Sequence, residues 1–313
     1  MISFSREQLE SVLPYPLLID ALRDAFRQNY TVPMRHHHDF ENPQEKKDST
    51  LLLMPAWEAG QYLGVKMVTV SPNNGQYGLP AIQGMYVLFD AHKGSPLAMM
   101  DAPTLTALRT AAASALAASY LAPAKSQTLL MIGTGRLAPE LIRAHATIRP
   151  IEEVYVWGRN EAKAKALAQS FEQAAYGVKA VSDIESILPE ADIVSCATLS
   201  EHPLVLGQWL RPGQHIDLVG AYRPNMREAD DEVIRSSSVF VDTYAGACKE
   251  CGDIAIPLQT GVLTKEAIKA DLFDLARSLK PGRQQESEIT CFKSVGHALE
   301  DLAAAKLAYE ALL

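Results

Sequence analysis

Thr128-Leu129-Leu130-Met131-Ile132-Gly133-Thr134-Gly135-Arg136-Leu137-Ala138 is the stretch that decides the fold. An apolar run of strand length meets two glycines spaced G-x-G, and a small alanine follows three residues after the second. A helical pattern, Pro139-Glu140-Leu141-Ile142-Arg143-Ala144-His145-Ala146, continues at once. Strand, tight turn and helix start in this order form a seat for the pyrophosphate of a dinucleotide. Gly133 permits the turn, Gly135 lets backbone approach phosphate, and Ala138 lets helix and strand pack closely. The N–H groups and the positive end of the helix dipole then face the anion.

The residues after this turn alternate in type. Strands are expected at 153–157, 178–182, 192–197, 214–220 and 239–242, with helices at 160–174 and 183–187, and a last strand and turn over 289–296. Repeated β/α alternation predicts a parallel sheet with helices on both faces. The residues before the turn read differently. Ser5 can cap a helical opening over 5–30 that breaks at Pro14-Pro16, and strands at 50–54, 62–70, 85–90 and 96–101 are separated by short turns. That is an α+β unit with a largely antiparallel sheet. An alanine-rich helix from Thr104 to about Leu121 precedes the glycine turn, and an amphipathic helix over roughly 297–312 is long enough to return to the first domain. The fold class is α/β: a Rossmann-type parallel-sheet nucleotide domain over 121–296, plus an α+β substrate and dimerisation domain over 1–120, completed by 297–313.

Composition narrows the function. The 313 residues suggest about two domains. A net charge of -8 argues against a general nucleic-acid binder. No apolar run reaches membrane-spanning length, and Met1-Ile2-Ser3-Phe4-Ser5-Arg6 lacks the order of a signal peptide, so a cytoplasmic location is expected. Four cysteines are too few for a disulfide framework. Cys248-Lys249-Glu250-Cys251 lacks a second pair or a nearby histidine pair, and reads as ordinary reduced cysteines rather than a zinc or redox site. His36-His37-His38 in an extended segment point to alternate faces and cannot easily share one ion. No metal is expected.

Two cations stand out. Lys66 interrupts the apolar run Tyr62-Leu63-Gly64-Val65-Lys66-Met67-Val68-Thr69-Val70, where lysine needs a reason to be buried. Locally it reads either as an edge-strand lysine reaching solvent or as a cation aimed into a cleft at an acidic substrate. Arg109 is either a solvated helix residue or a fork for a carboxylate. The second nucleotide strand ends Val156-Trp157-Gly158-Arg159-Asn160, without the acid that holds the ribose hydroxyls of NAD. Arg159 can instead hydrogen-bond a 2′-phosphate, which favours NADP(H) over NAD(H).

Gly64-Val65-Lys66, Gly78-Leu79-Pro80, Asp101 through Arg109-Thr110-Ala111-Ala112, Gly133-Thr134-Gly135, Val219-Gly220-Ala221 and Phe292-Lys293-Ser294-Val295-Gly296 with Glu300-Asp301 recur together. In these segments the chain resembles the ornithine cyclodeaminase/μ-crystallin family along almost its whole length. The family includes cyclodeaminases, amino-acid dehydrogenases and ketimine reductases. The resemblance implies a homodimer, a small amino-acid or imino-acid substrate, and no nucleic-acid or membrane partner. It assigns the substrate carboxylate to Arg35, Lys66 and Arg109, with Glu250 near the ligand pocket. Lysine is the one of the three cations whose pKa can fall enough to exchange a proton. The cofactor side comprises Thr110, Gly133, Thr134, Gly135, Arg136, Leu137, Gly158, Arg159, Asn160, Thr198, Gly220, Ser294 and Val295.

One departure matters. Cyclodeaminases carry an aspartate in a G-x-D-x-P pattern, and here the segment is Gly220-Ala221-Tyr222-Arg223-Pro224. Tyr222 is a poor base near its ordinary pKa of about 10, yet it can donate a proton or line a pocket. The first expectation is therefore an NAD(P)-dependent oxidoreductase acting at the α-carbon of an amino acid or ketimine, with Lys66 and Tyr222 as catalytic candidates. Ornithine cyclodeaminase, converting L-ornithine to L-proline and ammonia with bound NAD+, is the alternative. A non-enzymatic NADPH and small-ligand binding protein is the third reading.

Overall fold

The computed structural model describes residues 1–45 and 48–312; Leu313, the last residue of the expected first domain, lies outside them. The chain forms two compact units, Met1–Thr110 with His297–Leu313, and Ala111–Gly296. They divide inside the alanine-rich helix, between Thr110 and Ala111, rather than at its end.

The first unit runs β1 (Ile2–Phe4), α1 (Arg6–Val12), α2 (Tyr15–Arg27), β2 (His36–Phe40), β3 (Ser49–Trp57), β4 (Tyr62–Val70), β5 (Ile82–Asp90), β6 (Pro96–Asp101) and the start of α3 (Ala102–Leu121). Ser5 and Gln8 close a capping box at α1, and Pro16 opens α2 where a missing N–H is harmless. The α2 residues Leu18, Ile19, Leu22 and Phe26 recur at helical spacing and are fully buried, each stabilising by about 1.5–3 kcal/mol. The sheet order is β1-β6-β5-β4-β3-β2, antiparallel except for the β1–β6 pair. Period-two alternation puts Gly64, Lys66, Val68 and Val70 of β4 on the buried face, and Met67 and Thr69 on the exposed one. Lys66 therefore does not reach solvent from an edge, because β4 is an inner strand. The histidine run lies on the exposed edge strand β2.

The second unit continues with β7 (Thr128–Ile132), α4 (Leu137–Ile148), β8 (Glu153–Trp157), α5 (Glu161–Gln169), β9 (Gly177–Val181), β10 (Ile193–Cys196), β11 (His215–Leu218), α6 (Asp231–Ser236) and β12 (Ser238–Val241). Then come α7 (Tyr244–Glu250), α8 (Gly252–Thr260), β13 (Ala270–Asp271), α9 (Leu272–Ala276) and β14 (Thr290–Lys293). All eight strands are parallel, in the order β13-β12-β14-β11-β10-β7-β8-β9. Chain order runs outward from β7 through β8 and β9 on one side and through β10 and β11 on the other, with β14 inserted beyond β11, so the β7–β10 boundary is the topological switch point at which such sheets bind ligands. Asp217, fully buried in β11, accepts hydrogen bonds from Ser114 and Ser195 and pairs with His145, tying β11 to α3, β10 and α4.

Three expectations change. The helix expected over 183–187 is a turn leading into a 3-10 turn at Leu188–Glu190: the Asp183 carboxylate holds the Ser186 N–H, and Pro189 lacks the N–H that would extend a helix. The helix expected over 160–174 ends at Gln169. The final helix, α10 (Ala298–Glu310), is not amphipathic but buried nearly all round, since it packs against α1 and α2 as well as β3, β4 and β5 of the first unit.

Candidate functional site

In the second unit the turn after β7 has the shape its sequence implies. Gly133 sits at φ +119°, and an added Cβ would meet the Ala197 carbonyl oxygen at 2.5 Å, so no other residue fits without strain. Nothing lies within 4 Å of the corresponding point on Gly135, which leaves room for a ligand beside the backbone. Arg136 takes the N-cap position of α4 without a capping hydrogen bond from its side chain, and Leu137 starts the helix. Ala138 is fully buried against the sheet. These features fit a pyrophosphate on the helix N-terminus.

Most of the other expected cofactor residues gather at the carboxyl edge of the same sheet. Gly158, Arg159 and Asn160 follow β8; Arg159 is exposed, and Asn160 caps α5 by accepting the Lys163 N–H at 3.1 Å. Thr198 follows β10, Gly220 and Tyr222 follow β11, and Ser294 and Val295 follow β14. The Arg223 guanidinium lies 5.4 Å over the Tyr222 ring. Glu250 ends α7, and its neighbours Cys248 and Cys251 are free thiols. Thr110 is buried at the end of the first segment of the first unit.

Two buried carboxylates that the sequence did not single out hold this edge. Asp242 accepts the N–H groups of Val295 and Gly296 at 2.7 and 2.8 Å. Glu228 accepts from Thr198 and Gly220, both at 2.7 Å, and from Ala221 at 3.1 Å. Asp242 ends a strand of ordinary appearance, and Glu228 precedes Asp230-Asp231-Glu232 with nothing local to set it apart.

In the first unit Lys66 and Arg109 meet through the C-terminal helix. Asp301 accepts the Arg109 Nε–H at 2.8 Å with one oxygen and holds the Lys66 ammonium at 2.7 Å with the other. The Arg109 Nη1 donates to Glu300 at 2.6 Å. Two cations and two carboxylates, all under 5% exposed, make a balanced buried cluster. Burial lowers the Lys66 ammonium to about 8, against the pull of Asp301 and with the help of Arg109 and Arg35. Burial also raises the Asp301 carboxyl, but Arg109 and Lys66 outweigh it and keep the group below the ordinary carboxylate range. Arg35 is half-buried in the segment before β2. In the sequence, Glu300-Asp301 stands out only as part of the family resemblance. The available signal was two adjacent acids inside a helix otherwise rich in alanine and leucine. Among the described residues no group of three or more His, Cys, Asp or Glu side chains could hold a metal ion.

Comparison with known proteins extends this picture. The profile of the ornithine cyclodeaminase/mu-crystallin family matches residues 4–313. The Δ1-pyrroline-2-carboxylate reductase of Paracoccus denitrificans is 39% identical over 281 residues, 89% of this chain and 88% of that protein. The solved structure of Thermococcus litoralis Δ1-pyrroline-2-carboxylate reductase in complex with NADH and L-proline superposes with a TM-score of 0.94 at 36% identity, covering 99% of this chain and 97% of that one. A dimeric archaeal alanine dehydrogenase with bound NAD superposes at 0.91 with 31% identity, covering 99% and 95%.

Proposed function

The chain belongs to the ornithine cyclodeaminase/μ-crystallin family, and on that basis we propose that it is an NAD(P)H-dependent imino-acid reductase whose substrate is a small cyclic ketimine carboxylate of the Δ1-pyrroline-2-carboxylate type. The observation that carries the reading is Lys66, an ammonium buried on an inner strand, lowered to about 8 and paired with Asp301 at 2.7 Å. Such a group is protonated at neutral pH and gives up its proton readily to a nitrogen gaining electrons. The likeness to the Paracoccus and Thermococcus reductases supports the substrate class.

When bound, NAD(P)H supplies the hydride that adds to the imine carbon. Arg35 and Arg109 bind the α-carboxylate. Arg109 has Nε and Nη1 committed to Asp301 and Glu300, which fixes the plane of its guanidinium and leaves Nη2 for the substrate. Lys66 contacts the same ligand and protonates the imine nitrogen, while Asp301 holds the ammonium in place. Tyr222, where cyclodeaminases carry a carboxylate, lines the pocket or donates a proton, and Glu250 has a pocket role by resemblance. The first unit is then the substrate and dimerisation domain, and the second the nucleotide domain.

Cofactor choice is part of the proposal. The cofactor side is Thr110 together with the residues at the carboxyl edge of the second sheet. NADP(H) is preferred because Arg159 stands where an acid would repel a 2′-phosphate. The working assembly is a homodimer formed through the open face of the first sheet, where Met67 and Met85 are directly paired and 38% and 41% exposed. A cytoplasmic location goes with this reading, since NAD(P)H is the reductant. The test is a turnover assay of purified protein with Δ1-pyrroline-2-carboxylate and NADPH or NADH, beside L-ornithine with NAD+. Consumption of reduced cofactor with formation of L-proline is expected. Ammonia and proline from ornithine would restore the cyclodeaminase reading, and binding of NADPH without turnover of either substrate would support a binding protein.

A further inference from the structure

The ends of β10 and β11 approach each other more closely than side chains allow. A Cβ on Gly220 would fall 2.0 Å from the Thr198 carbonyl oxygen and 2.1 Å from the Thr198 nitrogen. The group holding these two strand ends together is Glu228. Its Oε1 accepts the Thr198 N–H at 2.7 Å and the Thr198 hydroxyl at 3.0 Å. Its Oε2 accepts the N–H groups of Gly220 at 2.7 Å and Ala221 at 3.1 Å. Both oxygens act as acceptors, as an ionised carboxylate requires.

Glu228 is itself anchored. Asp253 accepts the Glu228 N–H at 2.7 Å and the Ala229 N–H at 3.1 Å. Lys293, the last residue of β14, lies 3.6 Å from Glu228 and 3.0 Å from Asp253, and all three side chains are fully buried. A solvent-free ion cluster is an expensive way to join two loops if joining is all that is needed. What it provides is backbone geometry fixed before a ligand arrives.

We propose that Glu228 is a positioning residue for the cofactor: it sets the spacing of Thr198 and Gly220 in advance, so that the nicotinamide side of the site needs no reordering on binding. The inference rests on the assignment of Thr198 and Gly220 to the cofactor, and its test separates the two. Glu228→Gln keeps the shape but turns an N–H donor toward backbone N–H groups, so one loop loses its acceptor. Fluorescence titration with NADH should show affinity weakened about 10-fold, equivalent to about 1.4 kcal/mol. The KM for the imino acid at saturating NADH should remain within about 2-fold, below that scale. Val154→Ala, a cavity in β8, which pairs with β7 and β9 rather than with β10 or β11, supplies the control: it should lower the melting temperature and leave NADH affinity unchanged. If both variants lose affinity in proportion to stability, Glu228 is merely structural and the proposal is wrong.

Amide hydrogen exchange on the unmodified protein gives a second reading that needs no variant to fold. The Thr198, Gly220 and Ala221 amides should exchange slowly without cofactor and gain little when NADH is added. Fast exchange that becomes protected only with NADH would overturn the pre-set clamp. Failure of the unmodified protein to bind NADH or NADPH at all would instead remove the cofactor assignment, and this inference with it.

Discussion

Lys66 and Lys293 are both strand lysines, both essentially without solvent contact, and both paired with acids, yet their environments push them in opposite directions. Lys66 shares one carboxylate, Asp301, with Arg109, and has a second arginine nearby; burial lowers it to about 8. Lys293 has two carboxylates, Asp253 and Glu228, and they overcome its burial and raise it above the ordinary lysine range. The number of acids per cation decides the role. A lysine short of negative charge can release a proton, whereas one with an excess of it is a fixed counter-ion.

The largest expected effect tests this contrast directly. Lys66→Met should reduce turnover by about 10³-fold, within the usual range for loss of general acid catalysis, while NADPH affinity stays nearly unchanged. Lys293→Met should act instead on stability, lowering it by about 3–5 kcal/mol, because two buried carboxylates lose their cation. Kinetics and thermal melting of the two variants side by side would break the comparison if the effects came out reversed or alike.

A smaller effect concerns pH. A proton donor must start protonated, so under the proposed role of Lys66 turnover should hold below about 8 and fall as pH rises through that value. Asp301 is the neighbour that raises Lys66, so Asp301→Asn should move the alkaline limb to lower pH. A limb that stays in place would exclude Lys66 as the titrating group. Tyr222→Phe sharpens the same point: a proton donor would lose about 10²-fold or more in turnover, and a wall residue would change mainly the substrate KM. The wall outcome is expected, since the proposal assigns the proton to Lys66.

The smallest effect belongs to the exposed rim of the second unit. Arg159→Ala should remove most of a preference for NADPH over NADH, a change of about 5-fold at an exposed charge contact. Equal affinities for the two cofactors in the unmodified protein would end that proposal.

The sequence by itself determined the main strands of both sheets and where the glycine turn after β7 lies. Gly133, Gly135 and Ala138 mark the turn by local geometry, β4 spans Tyr62–Val70 as its apolar run implies, and Ser5 caps α1 as its position suggests. Such features depend on neighbours a few residues away, so chain order records them. What lies far apart in sequence was decided only by tertiary structure. Whether Lys66 faces solvent or an acid depends on a helix more than two hundred residues later, which brings Asp301 to it. The insertion of β14 between β11 and β12, which delivers Lys293 to Glu228 and Asp253, leaves no local pattern in the chain. Even the final helix misled, because its polarity pattern says nothing of being packed on several sides at once. Hydrophobic period and turn chemistry are short-range, whereas the charge balance around a buried group is the sum over everything folded against it.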